Sequence, residues 1–216
     1  MIETVENAVQ LGVVTVCFLI AVLRFLHGSA RIWELLTMFY GVFLLGNLYW
    51  LLYLLLYGYT PQLTYISDLS WYTADLFLFI LLKHSADPGE RRLRSVIPLL
   101  FPLFAAGMCL FYAKWSAWLN NIISAAVMSI LLYHASRGLL WHRRMKRRSR
   151  RCRLYVLTMA YCMTEYCLWT LSCLEWSDRI SNPYYWFDAL QTVFIGLFLP
   201  VTASLAQQTE REETAA

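Results

Sequence analysis

The chain has 216 residues, is 59% hydrophobic and 16% aromatic, and only 15% of it is charged. Soluble domains run nearer a quarter charged, so this composition excludes an ordinary soluble domain. The net charge of +4 is not a nucleic-acid signature, because the basic residues stand beside apolar runs, where orientation signals of membrane proteins lie.

Repeated apolar runs of roughly 20 residues, separated by short polar stretches, indicate an all-α, multi-pass membrane protein. Seven transmembrane helices are expected, at about 8–26, 32–57, 66–82, 95–112, 117–133, 154–174 and 187–205. The start, MIETVENAVQ, has neither a basic n-region nor a small-residue cleavage site, so the first span is expected to stay as a helix. Pro98 and Pro102 should kink span four near its first turns, and Pro200 falls near the end of span seven. The spans use up nearly all the length, which leaves one domain over 1–205 and a polar tail over 206–216, read as disordered and cytoplasmic.

Charge orients the bundle. The loops after spans one, three and five, together with the tail, hold 16 of the 18 Lys and Arg residues. The other side has Lys114 and Arg179. The positive-inside rule therefore places the N-terminus outside and the C-terminus in the cytoplasm of a cell (plasma or inner) membrane. The densest basic run contains Arg143, Arg144, Lys146, Arg147, Arg148, Arg150 and Arg151. It reads as a topology signal that touches anionic headgroups, since no aromatics interleave it as in a nucleic-acid site. Trp33, Trp50, Trp115, Trp118, Trp141, Trp176 and Trp186 fall mostly near span ends, as an aromatic belt does, whereas Trp71 and Trp169 lie deeper.

Acids inside spans carry the functional signal, because a carboxylate in a bilayer is costly. Asp68 and Asp75 stand seven residues apart in span three, on one helical face with Trp71 and Tyr72 between them. With 1.5 Å per residue, Asp75 lies about 14 Å into its span and Glu165 about 17 Å into its own, entering from the opposite side. Both fall near the midplane, and no Lys or Arg lies at that depth. Span six carries a polar stripe of Thr158, Cys162, Glu165, Trp169 and Ser172. Asn47 of span two, Asn120, Asn121 and Ser124 of span five, and Asp188, Gln191 and Thr192 of span seven add polarity to the outer half. Acids with Trp or Tyr walls suit a cation, by charge and by cation–π contact. The competing reading is that these groups only hydrogen-bond between helices, at about 0.6 kcal/mol each. Arg24 and Glu34 could pair or snorkel near the cytoplasmic side. Cys17, Cys109, Cys152, Cys162, Cys167 and Cys173 form no CxxC pair, and His27, His84, His134 and His142 are scattered, so no metal site is expected.

A loose internal echo pairs spans two and three with spans six and seven, and hints at two three-helix halves joined by span four. The string Thr60-Pro61-Gln62-Leu63 is similar to the Pro-Gln pair of the PQ-loop and sugar-transporter families, which use such a three-one-three arrangement. In those families the pair sits inside a span and recurs. Here it falls in an outer loop, and the second half has Asn182-Pro183. Seven spans with an outer N-terminus also resemble the topology of rhodopsins. Retinal has no attachment point, since the lysines are Lys83, Lys114 and Lys146 and none is in span seven; no cofactor is expected. No GxSxG, HExxH or phosphate-binding Gly loop is present, which argues against an enzyme. The sequence thus reads as a receptor-like bundle that binds a small polar or cationic ligand in its outer half. The site candidates are Asp75, Glu165, Asp68, Trp71, Asp188, Gln191, Asn47 and Trp169. The alternatives are a small or proton-coupled transporter that uses the midplane carboxylates, and a structural subunit without a ligand. Besides the lipid bilayer, a cytoplasmic output protein or a second copy of the chain would be the partner.

Overall fold

The computed structural model describes residues 2–28, 30–61, 65–146, 149–174 and 181–214. All regular structure among them is helical. The elements are α1 (Ile2–Gly28), α2 (Arg31–Tyr57), α3 (Tyr65–Ser85), the single turn α4 (Pro88–Arg91), α5 (Leu100–Tyr112), α6 (Trp118–Arg144), α7 (Arg151–Ser172) and α8 (Pro183–Thr214). Four of them, α1, α2, α6 and α8, are long and apolar enough to cross a membrane, which marks a membrane protein. Every backbone polar group in a bilayer must be satisfied within the protein, and a helix does this by itself.

Several boundaries differ from the sequence reading. Helix α6 continues past Tyr133 to Arg144, because nothing from His134 to His142 breaks a helix and the stretch packs against α7. Helix α8 continues to Thr214, through the stretch read as a disordered tail. Pro98 lies within a 3-10 turn, Ile97–Leu99, that leads into α5. Glu34 pairs with Arg31 one turn away, at 3.2 Å, rather than with Arg24. Trp33 is buried instead of lying in a belt. Gln62, Leu63, Trp176 and Arg179 fall outside the described residues.

The helices pack as a ring in the order α1, α2, α3, α6, α7, α8, with α8 returning to α1. Helix α5 lies outside this ring against α6, and its Tyr112 hydroxyl donates to the carbonyl of Tyr166 on α7 at 3.0 Å. The ring is filled by Phe39, Tyr40, Tyr161 and Phe198. Phe198 meets Phe39 edge-on at 5.6 Å and Tyr161 at 5.7 Å. The Tyr40 hydroxyl finds the carbonyl of Ile195 at 2.8 Å, so its polar end is satisfied inside the core. Large apolar side chains such as Leu19, Leu45, Leu103 and Val193 are exposed on the outside, as a lipid-facing surface requires.

Because successive long helices along the chain alternate in direction, the bundle has two unlike ends. One gathers the starts of α1, α3, α6 and α8 with the ends of α2, α5 and α7. The other carries most of the basic residues and a small polar latch. There Asp87 pairs with Arg151 and faces His142 at 3.8 Å. Glu90, 1% exposed, accepts the Tyr155 hydroxyl at 2.8 Å. Close approaches of two glycines allow this docking. Gly89 lies under the Trp141 ring and Gly138 under the Tyr155 ring, so a Cβ at either position would overlap the aromatic neighbour.

Candidate functional site: an acidic aromatic cavity

A cavity of about 410 Å³ opens at the end opposite the basic latch. Its wall is built by six ring helices and by Tyr112 and Trp115 at the end of α5. Five carboxylates line it: Glu3, Asp68, Asp75, Glu165 and Asp188. Among the described residues, none that lines it is Lys, Arg or His. Trp50, Trp71, Tyr72, Trp169 and Tyr184 add aromatic wall.

Each acid is positioned by a neighbouring helix. Asp75, 1% exposed, faces inward from the middle of α3 and accepts the Tyr161 hydroxyl of α7 at 3.0 Å. Glu165 is one turn further out on α7 and accepts the Gln191 amide of α8 at 2.7 Å, with Trp169 beside it. Asp188 is one turn further out on α8 and accepts Gln10 of α1 at 3.3 Å, with Glu6 against it. These bonds link α3, α7, α8 and α1 around the cavity.

A second set of bonds runs behind the wall. Asn47, 2% exposed, donates to Gln10 at 2.9 Å and accepts the Trp71 indole N–H at 2.9 Å. Gln10 also donates to Thr192 at 3.1 Å. Asn47 is therefore a brace that holds Trp71 from behind, and it is not part of the lining. Gly46 makes this possible, because a Cβ there would come 2.8 Å from the Trp71 indole nitrogen. Tyr72 donates to Asn120 of α6 at 2.8 Å and closes the α3–α6 side.

Of the residues singled out in the sequence, Asp68, Trp71, Asp75, Glu165, Trp169, Asp188 and Gln191 share this one cavity. The α7 stripe does not face it along its whole length. Glu165, Trp169 and Ser172 line the cavity, but Cys162 is packed in the core and Thr158 bonds back to the carbonyl of Leu154 at 2.9 Å. Sequence reasoning missed Gln10, Tyr161, Glu3 and Tyr184. A glutamine in the apolar run of α1 was a readable signal. Tyr161 was not, because nothing in its local pattern separates a tyrosine that serves a carboxylate from one that fills the core.

At the basic end, Arg143, Lys146 and Arg150 line a separate open cleft of about 800 Å³ with His142, Ser149 and Arg153. Arg144 is exposed beside it, Arg151 belongs to the latch, and Arg147 and Arg148 lie outside the described residues. Compared with known proteins, the chain matches no family model, no curated protein and no solved structure.

Proposed function

We propose that this chain is a seven-span membrane protein, with its N-terminus outside, that binds a small cationic ligand in the outer cavity. The observation that carries this reading is a cavity that, among the described residues, has five lining carboxylates and no lining Lys, Arg or His. Such a site attracts a cation and replaces its hydration by carboxylate oxygens and aromatic faces. Asp75 and Glu165 form its deep part, while Asp68, Trp71 and Asp188 stand at the entrance, Gln191 and Trp169 orient Glu165, and Asn47 holds Trp71.

The seven spans comprise the four long apolar helices together with α3, α5 and α7. Helices α3 and α7 are less apolar because each spends one face on the cavity, and α5 lies against the ring. The basic loops then fall on the inner side. As a sensor, the bundle would pass ligand occupancy to a separate output protein at that basic face.

The test is a titration of the purified full chain in nanodiscs with tetramethylammonium, read by intrinsic tryptophan fluorescence, since Trp50, Trp71, Trp115 and Trp169 line the cavity. Saturable quenching is expected, weakened about tenfold or more by Asp75→Asn or Glu165→Gln. If both variants bind like the wild type while unfolding at lower temperature, the acids are helix cross-links and the reading is wrong.

A further inference from the structure

The carboxylates of the cavity are not clustered at one level. The hydrogen-bond register places three of them as steps. Asp75 is matched in height to Tyr161 by their bond. Glu165 follows Tyr161 by four residues toward the open end of α7, a rise of about 6 Å. Gln191 is matched to Glu165 by theirs. Asp188 precedes Gln191 by three residues toward the open end of α8, a rise of about 4.5 Å. On α3, Asp68 precedes Asp75 by seven residues, about 10.5 Å, and so stands near the height of Asp188. Two independent helical paths thus give the same overall depth.

Between the steps the wall is apolar or aromatic, from Phe43, Tyr72, Met128, Leu168 and Trp169. One further group on the wall has an open function. The amide oxygen of Gln191, a residue only 2% exposed, has no hydrogen-bond partner, although its amide nitrogen is engaged by Glu165. A buried acceptor of this kind is costly unless a donor meets it. Gln191 lines the cavity at the level of the second step.

From this stair we infer that the ligand class is a linear aliphatic polyamine, with ammonium groups opposite Asp75, Glu165 and Asp188 and methylene segments against the apolar wall between them. The inference rests on the cation-binding reading above. The spacing supports it, because three bonds of an extended chain cover about 3.3–3.6 Å, so four bonds cover about 4.4–4.8 Å and five about 5.5–6 Å, the heights of the two steps. A triamine whose nitrogens are four and five bonds apart matches both steps in one extended conformation. A compact cation such as a metal ion or a quaternary ammonium would use only one step. A triamine also delivers one positive charge to each of the three stepped carboxylates.

The experiment compares spermidine, putrescine and n-propylamine on the full chain in nanodiscs by isothermal titration calorimetry at fixed ionic strength. Affinity is expected to rise about tenfold or more with each added ammonium. Asp188→Asn is expected to reduce the spermidine-to-putrescine ratio toward one, and its thermal unfolding midpoint reports whether the variant is folded. The wild-type ranking needs no variant, so the stair is tested even if Asp188→Asn does not fold. Equal affinities for spermidine and n-propylamine would overturn the stair and leave the cation site standing. If none of the three amines binds, the stair and the cation site fall together.

Discussion

Glu90 shows how one residue sets a pH response at the basic end, outside the spanning helices. Burial pushes its carboxyl above the ordinary range, against the opposing pull of the Tyr155 hydroxyl bond, the Arg137 charge and a backbone hydrogen bond at Asp87, with the Asp87 charge adding a smaller push upward. A carboxyl whose native pKa is raised favours the folded state most at low pH, below its unfolded pKa of about 4.3. That contribution is lost as pH rises through the native value. Glu90→Gln keeps an oxygen to accept the Tyr155 hydroxyl but cannot ionise. The variant should therefore lose less stability than the wild type between pH 4 and pH 8, a window taken from the ordinary carboxylate range upward. Thermal unfolding in detergent at several pH values checks this, and identical slopes for the two proteins would contradict it.

At the scale of elements, packing against aromatic rings decides what each helix tolerates. Tyr155 is fully buried and lies over Gly138, so a methyl group at 138 has no room. Gly138→Ala should cost about 1–3 kcal/mol of stability by overpacking and disturb the Tyr155–Glu90 bond. Gly12→Ala, with nothing within 4 Å of its Cβ, should leave stability unchanged or slightly raised, because alanine is the better helix former. The unfolding midpoints of the two variants measure the contrast, and equal midpoints would refute the packing argument.

The helices themselves were legible in the sequence, because apolar runs with polar breaks leave few other arrangements in a bilayer. Helices α3 and α7 show the limit of that legibility. Each spends one face on polar groups and so looks weak as a span. Their residues Thr73, Thr158, Thr164 and Thr170 hide that polarity by bonding back to carbonyls one turn earlier, at 2.6–3.0 Å. That Asp68 and Asp75 share a face, and so reach one cavity, was legible from spacing alone, since they repeat after two turns. What local pattern could not show is pairing across helices: that Tyr161 serves Asp75, that Gln191 serves Glu165, or that Asn47 bonds to Trp71. Each depends on the order of helices around the ring, which periodicity does not encode. The length of α6 was misread for a related reason. His134, Arg137 and His142 are polar enough to suggest a loop, yet they remain helical, with His134 against Phe79 of α3 and His142 facing the latch.

For the whole molecule, the two ends imply different roles. The acidic end is open, whereas the basic end is tied by Asp87 with Arg151 and by Glu90 with Tyr155. Sensing needs only the open end and a partner at the other. Transport would require the latch to open in each cycle, so the runner-up reading makes Asp87 and Arg151 gate residues, while the sensor reading makes them structural. Uptake of a labelled amine into proteoliposomes separates the two readings.

The central claim, an outward-open cavity of negative charge, can be tested without knowing the ligand. Cys173 lines the cavity, so a variant that keeps it and replaces the other five cysteines reports directly on the field inside. Membrane-impermeant methanethiosulfonate reagents of opposite charge, applied from outside to intact cells, are compared by their rates of reaction. The cationic reagent should react about tenfold faster or more than the anionic one, and the difference should shrink in Glu165→Gln. Equal rates, a faster anionic reagent, or a Cys173 reached only from inside would contradict the account.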